Sequence, residues 1–171
     1  MTTEQAARGL GADGPVDTSQ SIAQTAEALY AGLRRGGQAG LPLRPQDEAL
    51  LGQCEAFRFG DSAGLAGWSV GRGPPVFLTH GWGGRGAQMA TLALALAGAG
   101  FQAVFFDAGA HGDSRPAPMG FDRFMEDLAA LHEVMGGPPF AWVGHSAGAL
   151  AMMSARRTHG ISAGRYVCIA A

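Results

Sequence analysis

The stretch FAWVGHSAGALAMMSARR, residues 140–157, decides the fold class of this chain. Residues 140–143 form a short apolar run with strand character, and residues 147–157 are rich in Ala, Leu and Met, which favour helix. Between them stands Ser146, flanked as Gly144-His145-Ser146-Ala147-Gly148. A serine at a sharp strand-to-helix turn has its hydroxyl lifted above the sheet edge. The stretch therefore predicts a nucleophile position at Ser146.

The glycine spacing around Ser146 carries little weight without this context. With 28 glycines in 171 residues, far above ordinary usage, roughly one serine in forty is flanked in this way by chance. Four of the eight serines have the Gly-x-Ser-x-Gly spacing: Ser62, Ser69, Ser146 and Ser162. Ser62 lies between two strand-like runs and is predicted in a hairpin turn, Ser69 lies inside the second run, and Ser162 follows a helix. Only Ser146 is predicted to follow a strand and open a helix.

Bulk composition excludes several classes of protein. The net charge is -2 and the sequence pI about 6.2, with no basic cluster larger than an arginine pair, so we expect no nucleic-acid partner. Cys54 and Cys168 lack metal-ligand spacing and a disulfide framework, which fits a reduced, cytoplasmic compartment.

The first residues contain no apolar core of signal-peptide length. Residues 89–106 approach membrane-spanning length, but glycines interrupt them, which predicts a helix, a turn and a buried strand with no membrane contact.

Element patterns divide the chain in two. Residues 1–46 are a poorly specified N-terminal segment with one helical pattern, in which Ile22, Ala26, Leu29 and Leu33 share a face. Residues 47–171 carry a short helix, two strands joined by a turn, and then strands and helices in alternation. We expect an α/β fold, a three-layer sandwich with a mostly parallel sheet, because short apolar strands between helices are buried on both faces.

The helix predicted over residues 121–135 shows which of its sides is buried. Phe124, Leu128, Leu131 and Met135 form a stripe at helical spacing, and we expect this stripe to face the sheet.

The turn after the strand at residues 76–79 supports two hypotheses. Its glycines Gly81, Gly83 and Gly86 have dinucleotide-binding spacing, and Asp107 ends the next strand, where an acid would bind a ribose. Against a nucleotide-binding Rossmann-like domain, bulky Trp82 stands where a diphosphate needs access to the backbone. Two further strands also precede the motif.

The second hypothesis makes the same turn half of an oxyanion hole. In serine acyl transfer, one backbone N–H after the nucleophile and one from an earlier loop bind the tetrahedral oxyanion. Those donors would be Ala147 and Trp82. Small glycines beside Trp82 would let the loop approach a substrate carbonyl.

Three ordered motifs resemble the α/β-hydrolase superfamily, specifically its esterase-like and peptidase-like members. They are HGWGG at 80–84, DAGAHGDS at 107–114 and GHSAG at 144–148. The resemblance implies that Ser146 is the nucleophile of a hydrolase acting on carboxylic esters or related acyl bonds of small molecules, without cofactor or metal. It also implies that Asp107 and the loop after it are structural.

The resemblance covers about residues 50–171 and stops after the family's sixth strand, before its catalytic acid and histidine. The five histidines are each predicted to be structural or solvated: His80, His111, His132, His145 and His159. His145 should point away from Ser146, because neighbouring strand residues alternate between faces. We therefore expect a truncated α/β-hydrolase domain with little activity of its own.

The strand predicted at residues 166–170 would then expose an apolar edge open to self-association. A non-catalytic α/β module acting through this edge remains an alternative.

Overall fold

The computed structural model describes residues 18–35, 42–118 and 120–170. Contacts divide the chain into two units, Met1–Leu33 and Arg34–Ala171. Helix α1 (Thr18–Arg35) confirms the predicted N-terminal helix, and the Ile22 and Leu29 side chains on it are exposed. The rest of the predicted N-terminal segment, residues 1–17 and 36–41, lies outside the described residues.

The strands of the second unit form one sheet. Its six described strands are β1 (Glu55–Phe59), β2 (Leu65–Val70), β3 (Pro75–Thr79), β4 (Gln102–Asp107), β5 (Ala141–His145) and β6 (Tyr166–Ile169). They lie in the order β1-β2-β4-β3-β5-β6. The first two strands pair antiparallel, β2 also runs antiparallel to β4, and the remaining pairs are parallel. The predicted mostly parallel α/β sheet is therefore confirmed.

Helices connect these strands close to the predicted positions. They are α2 (Pro45–Leu51), α3 (Ala90–Gly98), α4 (Phe121–Val134) and α5 (Ala147–Thr158), with 3₁₀ turns at Asp61–Ala63 and Gly86–Met89. The 3₁₀ turn at Gly86–Met89 directly precedes α3. Two hydrogen bonds stabilise this turn: the Gly86 N–H donates to the Asp107 carboxylate at the end of β4, and the Arg85 N–H donates to the Gln88 side chain at 3.3 Å.

Two apolar clusters lie on opposite faces of the sheet. Phe77, Val104 and Phe106 pack with residues of α4 and α5 on one face. Leu78 and Phe105 pack with residues of α3 on the other. Neighbouring strand residues enter different clusters because side chains alternate across a sheet. The three-layer sandwich is confirmed, and the stripe of Phe124, Leu128 and Leu131 on α4 faces the sheet as predicted.

Residues 89–106 divide between α3 and β4, as the interrupting glycines predicted. Within the part of the chain that the structure describes, no helix has the length and apolar character needed to cross a bilayer.

The chain order reverses at β3, which pairs with β4 on one side and β5 on the other. In such sheets ligands bind outside the carboxyl ends of the strands, at the point of reversal. The three sequence motifs follow the carboxyl ends of β3, β4 and β5, so they meet at this edge.

Candidate active site

Ser146 occupies the sharp turn between β5 and α5, with φ 50° and ψ -122°. Non-glycine residues rarely adopt this conformation, which costs about 1–3 kcal/mol and persists only where the surroundings enforce it. Two backbone hydrogen bonds do so here. The Ser146 N–H donates to the Ile169 carbonyl of β6 at 2.9 Å, and the Ser146 carbonyl accepts from the Ala149 N–H at 2.9 Å. The strand-to-helix turn predicted at Ser146 is present, and its backbone is strained.

Both glycines that flank this turn are sterically required. A Cβ on Gly148 would collide with the His80 carbonyl oxygen and stand 2.9 Å from that of Thr79. A Cβ on Gly144 would stand 2.7 Å from the Ala149 nitrogen. Helix α5 can therefore approach the ends of β3 and β5 only because these positions lack side chains.

The other three serines of the same spacing lie in different settings. Ser62 is exposed in the 3₁₀ turn between β1 and β2, with φ 53° and ψ 28°. Ser69 lies inside β2, opposite Glu55 and Val104. Ser162 lies in the connection between α5 and β6. Only Ser146 combines positive φ with a strand before it and a helix after it.

The turn after β3 packs directly against Ser146. A Cβ on Gly81 would stand 3.3 Å from the Ser146 Cβ and 3.0 Å from the His145 Nδ1. The Gly84 N–H donates to the Gly81 carbonyl at 3.0 Å, and Gly83 has φ 68°, which fits a type II turn with glycine at its third position. Trp82 is the second residue of that turn and follows Gly81 directly.

Each of the two predicted oxyanion donors follows one residue of this contact in the chain, Trp82 after Gly81 and Ala147 after Ser146. Ala147 is the first residue of α5, where an N–H has no partner within the helix and lies at the positive end of its dipole. Trp82 is half-buried, with its ring edge-on to His111 at 6.3 Å between centroids. Neither backbone N–H donates to another backbone group among the described residues.

Asp107 ends β4 and is fully buried. Its carboxylate accepts the Gly86 N–H and the Asp113 N–H, the latter at 2.7 Å. Burial raises the pKa of this carboxyl, and the Arg85 guanidinium lies 3.7 Å away. The carboxylate faces its own loop, so it does not present itself to a ribose. Asp107 is therefore not placed to bind a ribose, as the nucleotide-binding hypothesis requires. Its contacts agree with the structural role that the resemblance implies.

His80 is buried beneath the turn. Its Nε2 accepts the Ala108 N–H at 3.0 Å, so the proton is on Nδ1, which donates to the Gly81 carbonyl at 2.7 Å. Burial lowers the pKa of His80 to about 3, and this ring is neutral at physiological pH.

The histidines do not pair with the serine. The His132 Nε2 accepts the Ser162 N–H at 3.3 Å, and the His159 ring contacts the Thr158 hydroxyl at 2.8 Å. The prediction that His145 points away from Ser146 is wrong: the His145 Nδ1 and the Ser146 Cβ both lie against Gly81, 3.0 Å and 3.3 Å from a Cβ placed there. The alternation of strand residues between faces ends at the serine, where the chain turns into α5. Among the described residues, no histidine forms a hydrogen bond with the Ser146 hydroxyl.

A family model described as "Serine aminopeptidase, S33" matches residues 74–171. The chain belongs to this serine aminopeptidase family of α/β-hydrolases. The match includes all three motifs at the carboxyl edge of the sheet.

Solved structures of α/β-hydrolases share this fold. Epoxide hydrolase VrEH1 from Vigna radiata is 25% identical, with a TM-score of 0.60 over 69% of this chain and 40% of its own. An α/β-hydrolase-fold protein from Burkholderia ambifaria is 23% identical, with a TM-score of 0.58 over 65% of this chain and 42% of its own. The chain thus spans about two fifths of the length of these proteins. No curated protein sequence matches it.

Two residues near the turn were not assigned a part in the site from the sequence. His111 accepts the Gly83 N–H at 3.1 Å, and Asp127 of α4 accepts the Gly109 N–H at 2.6 Å. For Asp127 a signal existed, since it lies three residues after Phe124 and beside Leu128 on the apolar side of α4. A carboxylate on a buried helix face needs hydrogen-bond partners. Its loop partner is distant in sequence, so the pattern did not identify it.

Proposed function

We propose that this member of the serine aminopeptidase family cleaves carboxylic esters or related acyl bonds of small molecules, with Ser146 as nucleophile. The observation that carries the proposal is the strained Ser146 turn packed against Gly81, 3.3 Å from a Cβ placed there. This contact supports a site at one edge of the sheet in which a serine hydroxyl and two backbone N–H groups act together. That combination suits attack on a carbonyl carbon.

The proposed reaction has two steps. The Ser146 oxygen attacks the acyl carbon while a general base takes its proton, and the Trp82 and Ala147 N–H groups stabilise the resulting oxyanion. Collapse releases the alcohol or amine with that proton and leaves an acyl-serine ester. A water molecule then attacks the acyl carbon, releasing the acid and restoring the serine. We assign neither the base nor the acid that orients it to a described residue, since no described histidine forms a hydrogen bond with the Ser146 hydroxyl.

Several structural neighbours are epoxide hydrolases. Epoxide hydrolysis is less compatible with a serine at this strand-to-helix turn. Attack of a serine hydroxyl on an epoxide carbon would leave an alkyl ether on the enzyme, and water does not readily cleave an ether. An acyl-serine ester is open to attack by water. The identity of the side chain at position 146 therefore favours acyl substrates.

A fluorophosphonate probe tests the proposal on the full-length gene product. We expect a covalent adduct on the peptide that contains Ser146, and none after Ser146→Ala. Ser62→Ala is the matched control, because Ser62 has the same glycine spacing and a positive φ but follows no parallel strand, and this variant should label like the wild type. Absence of an adduct at Ser146 in the wild type, or hydrolysis of styrene oxide without hydrolysis of any short-chain ester, would contradict the proposal.

A further inference from the structure

We propose that His111 is a positioning residue that holds the oxyanion turn in place through its hydrogen bond to the Gly83 N–H. The inference rests on the proposed function, because it concerns the turn that carries the Trp82 donor. His111 itself would touch neither substrate nor the reacting atoms.

Hydrogen bonds to both ring nitrogens fix the tautomer of His111. Its Nε2 lies 3.1 Å from the Gly83 nitrogen and must accept, since that nitrogen carries the proton. Its Nδ1 lies 2.9 Å from the Gly109 carbonyl oxygen and must donate. The ring is therefore neutral, and its one acceptor is directed at the turn.

Aromatic neighbours hold the ring in this orientation. His111 is 2% exposed and lies with ring centroids 4.9 Å from His80, 5.7 Å from Phe124 and 6.3 Å from Trp82. His80 donates to the Gly81 carbonyl of the same turn. A side chain packed on several sides can fix the position of a more mobile group that it contacts.

Gly83 is a point of the turn that packing does not restrain. It is exposed, and a Cβ placed on it would meet no atom within 4 Å. Its φ of 68° is available to glycine at little cost, but glycine also has alternative conformations of similar energy. The hydrogen bond to His111 therefore selects among these conformations. The Gly83 N–H shares its peptide plane with the Trp82 carbonyl, and the Trp82 N–H lies in the preceding plane. The bond to His111 therefore restrains the ψ angle of Trp82, the predicted donor residue, from its C-terminal side.

Helix α4 anchors the loop that carries His111. The Gly109 N–H donates to the Asp127 Oδ2 at 2.6 Å, and the Asp127 carboxylate pairs with Arg123 at 3.2 Å. A chain of contacts thus runs from α4 through Gly109 and His111 to Gly83. Asp127 supports the position of His111 and has no direct contact with the turn.

Two amide substitutions at His111 distinguish a role in positioning the turn from a role in filling the core. His111→Gln places an amide oxygen near the position of Nε2 and can still accept the Gly83 N–H. His111→Asn places its amide near Nδ1, where it can reach Gly109 but not Gly83. Both replace an imidazole by a carboxamide, so each is the matched control of the other.

Amide hydrogen exchange provides a readout that does not depend on activity. In the wild type we expect the Gly83 amide to exchange slowly for an exposed residue. His111→Asn should raise its exchange rate at least tenfold, while His111→Gln should stay within about threefold of the wild type. Equal exchange of the Gly83 amide in the two variants would overturn the inference.

Ester hydrolysis by the full-length gene product provides the second readout. His111→Asn should lower kcat at least tenfold with KM changed less than about threefold, because the donor acts mainly in the transition state, and His111→Gln should restore most of kcat. Equal kcat values for the two variants would overturn the inference. A wild type without hydrolysis or probe labelling would overturn the proposed function instead, and the exchange comparison would still decide whether His111 holds Gly83.

Discussion

The backbone conformation of Ser146 is unfavourable for any residue with a side chain. Its φ of 50° and ψ of -122° are enforced by the β6 carbonyl that accepts its N–H and by the first turn of α5. Strain of this kind clusters at functional positions, where it holds a group in a productive orientation. At the scale of the residue, the backbone strain at Ser146 lowers the stability of the folded protein, and the same conformation fixes the position of the Ser146 hydroxyl.

This strain predicts that Ser146→Gly is more stable than Ser146→Ala. Both variants remove the hydroxyl, but only glycine adopts the required φ and ψ without steric cost. We expect the free energy of unfolding of Ser146→Gly to exceed that of Ser146→Ala by about 1 kcal/mol, the relieved strain minus the greater entropy of the glycine chain when unfolded. Urea denaturation of both variants measures the difference. A glycine variant less stable than the alanine variant would show that the turn is not strained.

At the scale of the elements, α5 can pack closely against the end of β3 because Gly148 has no side chain. The carbonyl oxygens of Thr79 and His80 occupy the space that a Cβ would need. Displacement of α5 would move Ala147 and the turn at Ser146 together, since both belong to its first turn. The packing of one helix on one strand therefore determines the geometry of the site.

Gly148→Ala should destabilise the protein by about 2 kcal/mol or more and should abolish labelling of Ser146, because overpacking forces the backbone to shift. Gly98→Ala is the matched control: Gly98 also lies in a helix, but a Cβ there meets no atom within 4 Å. That variant should be as stable as the wild type or more stable by up to about 1 kcal/mol. Thermal unfolding followed by circular dichroism checks both, and equal losses of stability would contradict the packing argument.

At the scale of the whole molecule, buried titratable groups make stability depend on pH in opposing directions. Burial raises the pKa of Asp127 from 3.8 to about 6, so the folded state binds an extra proton between these values. The contribution of this group to stability therefore increases as pH falls through 6. Burial of His80 lowers its pKa from 6.5 to about 3, so its contribution is lost as pH falls over that interval.

Asp127→Asn isolates the carboxyl, since asparagine can still accept the Gly109 N–H but does not titrate. The free energy of unfolding of the wild type minus that of the variant should increase as pH falls from about 6.5 to 4. The increase should approach 3 kcal/mol, from about 1.4 kcal/mol for each unit of pKa shift. Urea denaturation at a series of pH values measures it. If the difference in the free energy of unfolding stays constant or decreases toward low pH, the pKa of Asp127 is not raised in the folded protein.

Local patterns were sufficient to predict the elements and their layers. The apolar run before Ser146, the stripe on α4 and the alternation of strands with helices all depend on contacts near in sequence, and each was confirmed. The 3₁₀ turn at Gly86–Met89 was missed, because the carboxylate that binds its first N–H comes from Asp107 on another strand. The role of Asp127 was not predicted for the same reason, because its partner Gly109 lies on a loop outside its helix.

The sequence by itself determined the α/β class, the order of its strands and helices and the position of the serine turn, because these follow from periodicity and from glycine placed between a strand and a helix. Tertiary structure decided which residues the glycine turn after β3 and the Asp107 carboxylate contact. It brought Gly81 against Ser146 and turned the Asp107 carboxylate inward onto Gly86 and Asp113. The physical reason is that these contacts join residues distant along the chain, and only the pairing of β3 with β4 and β5 brings them to one edge of the sheet.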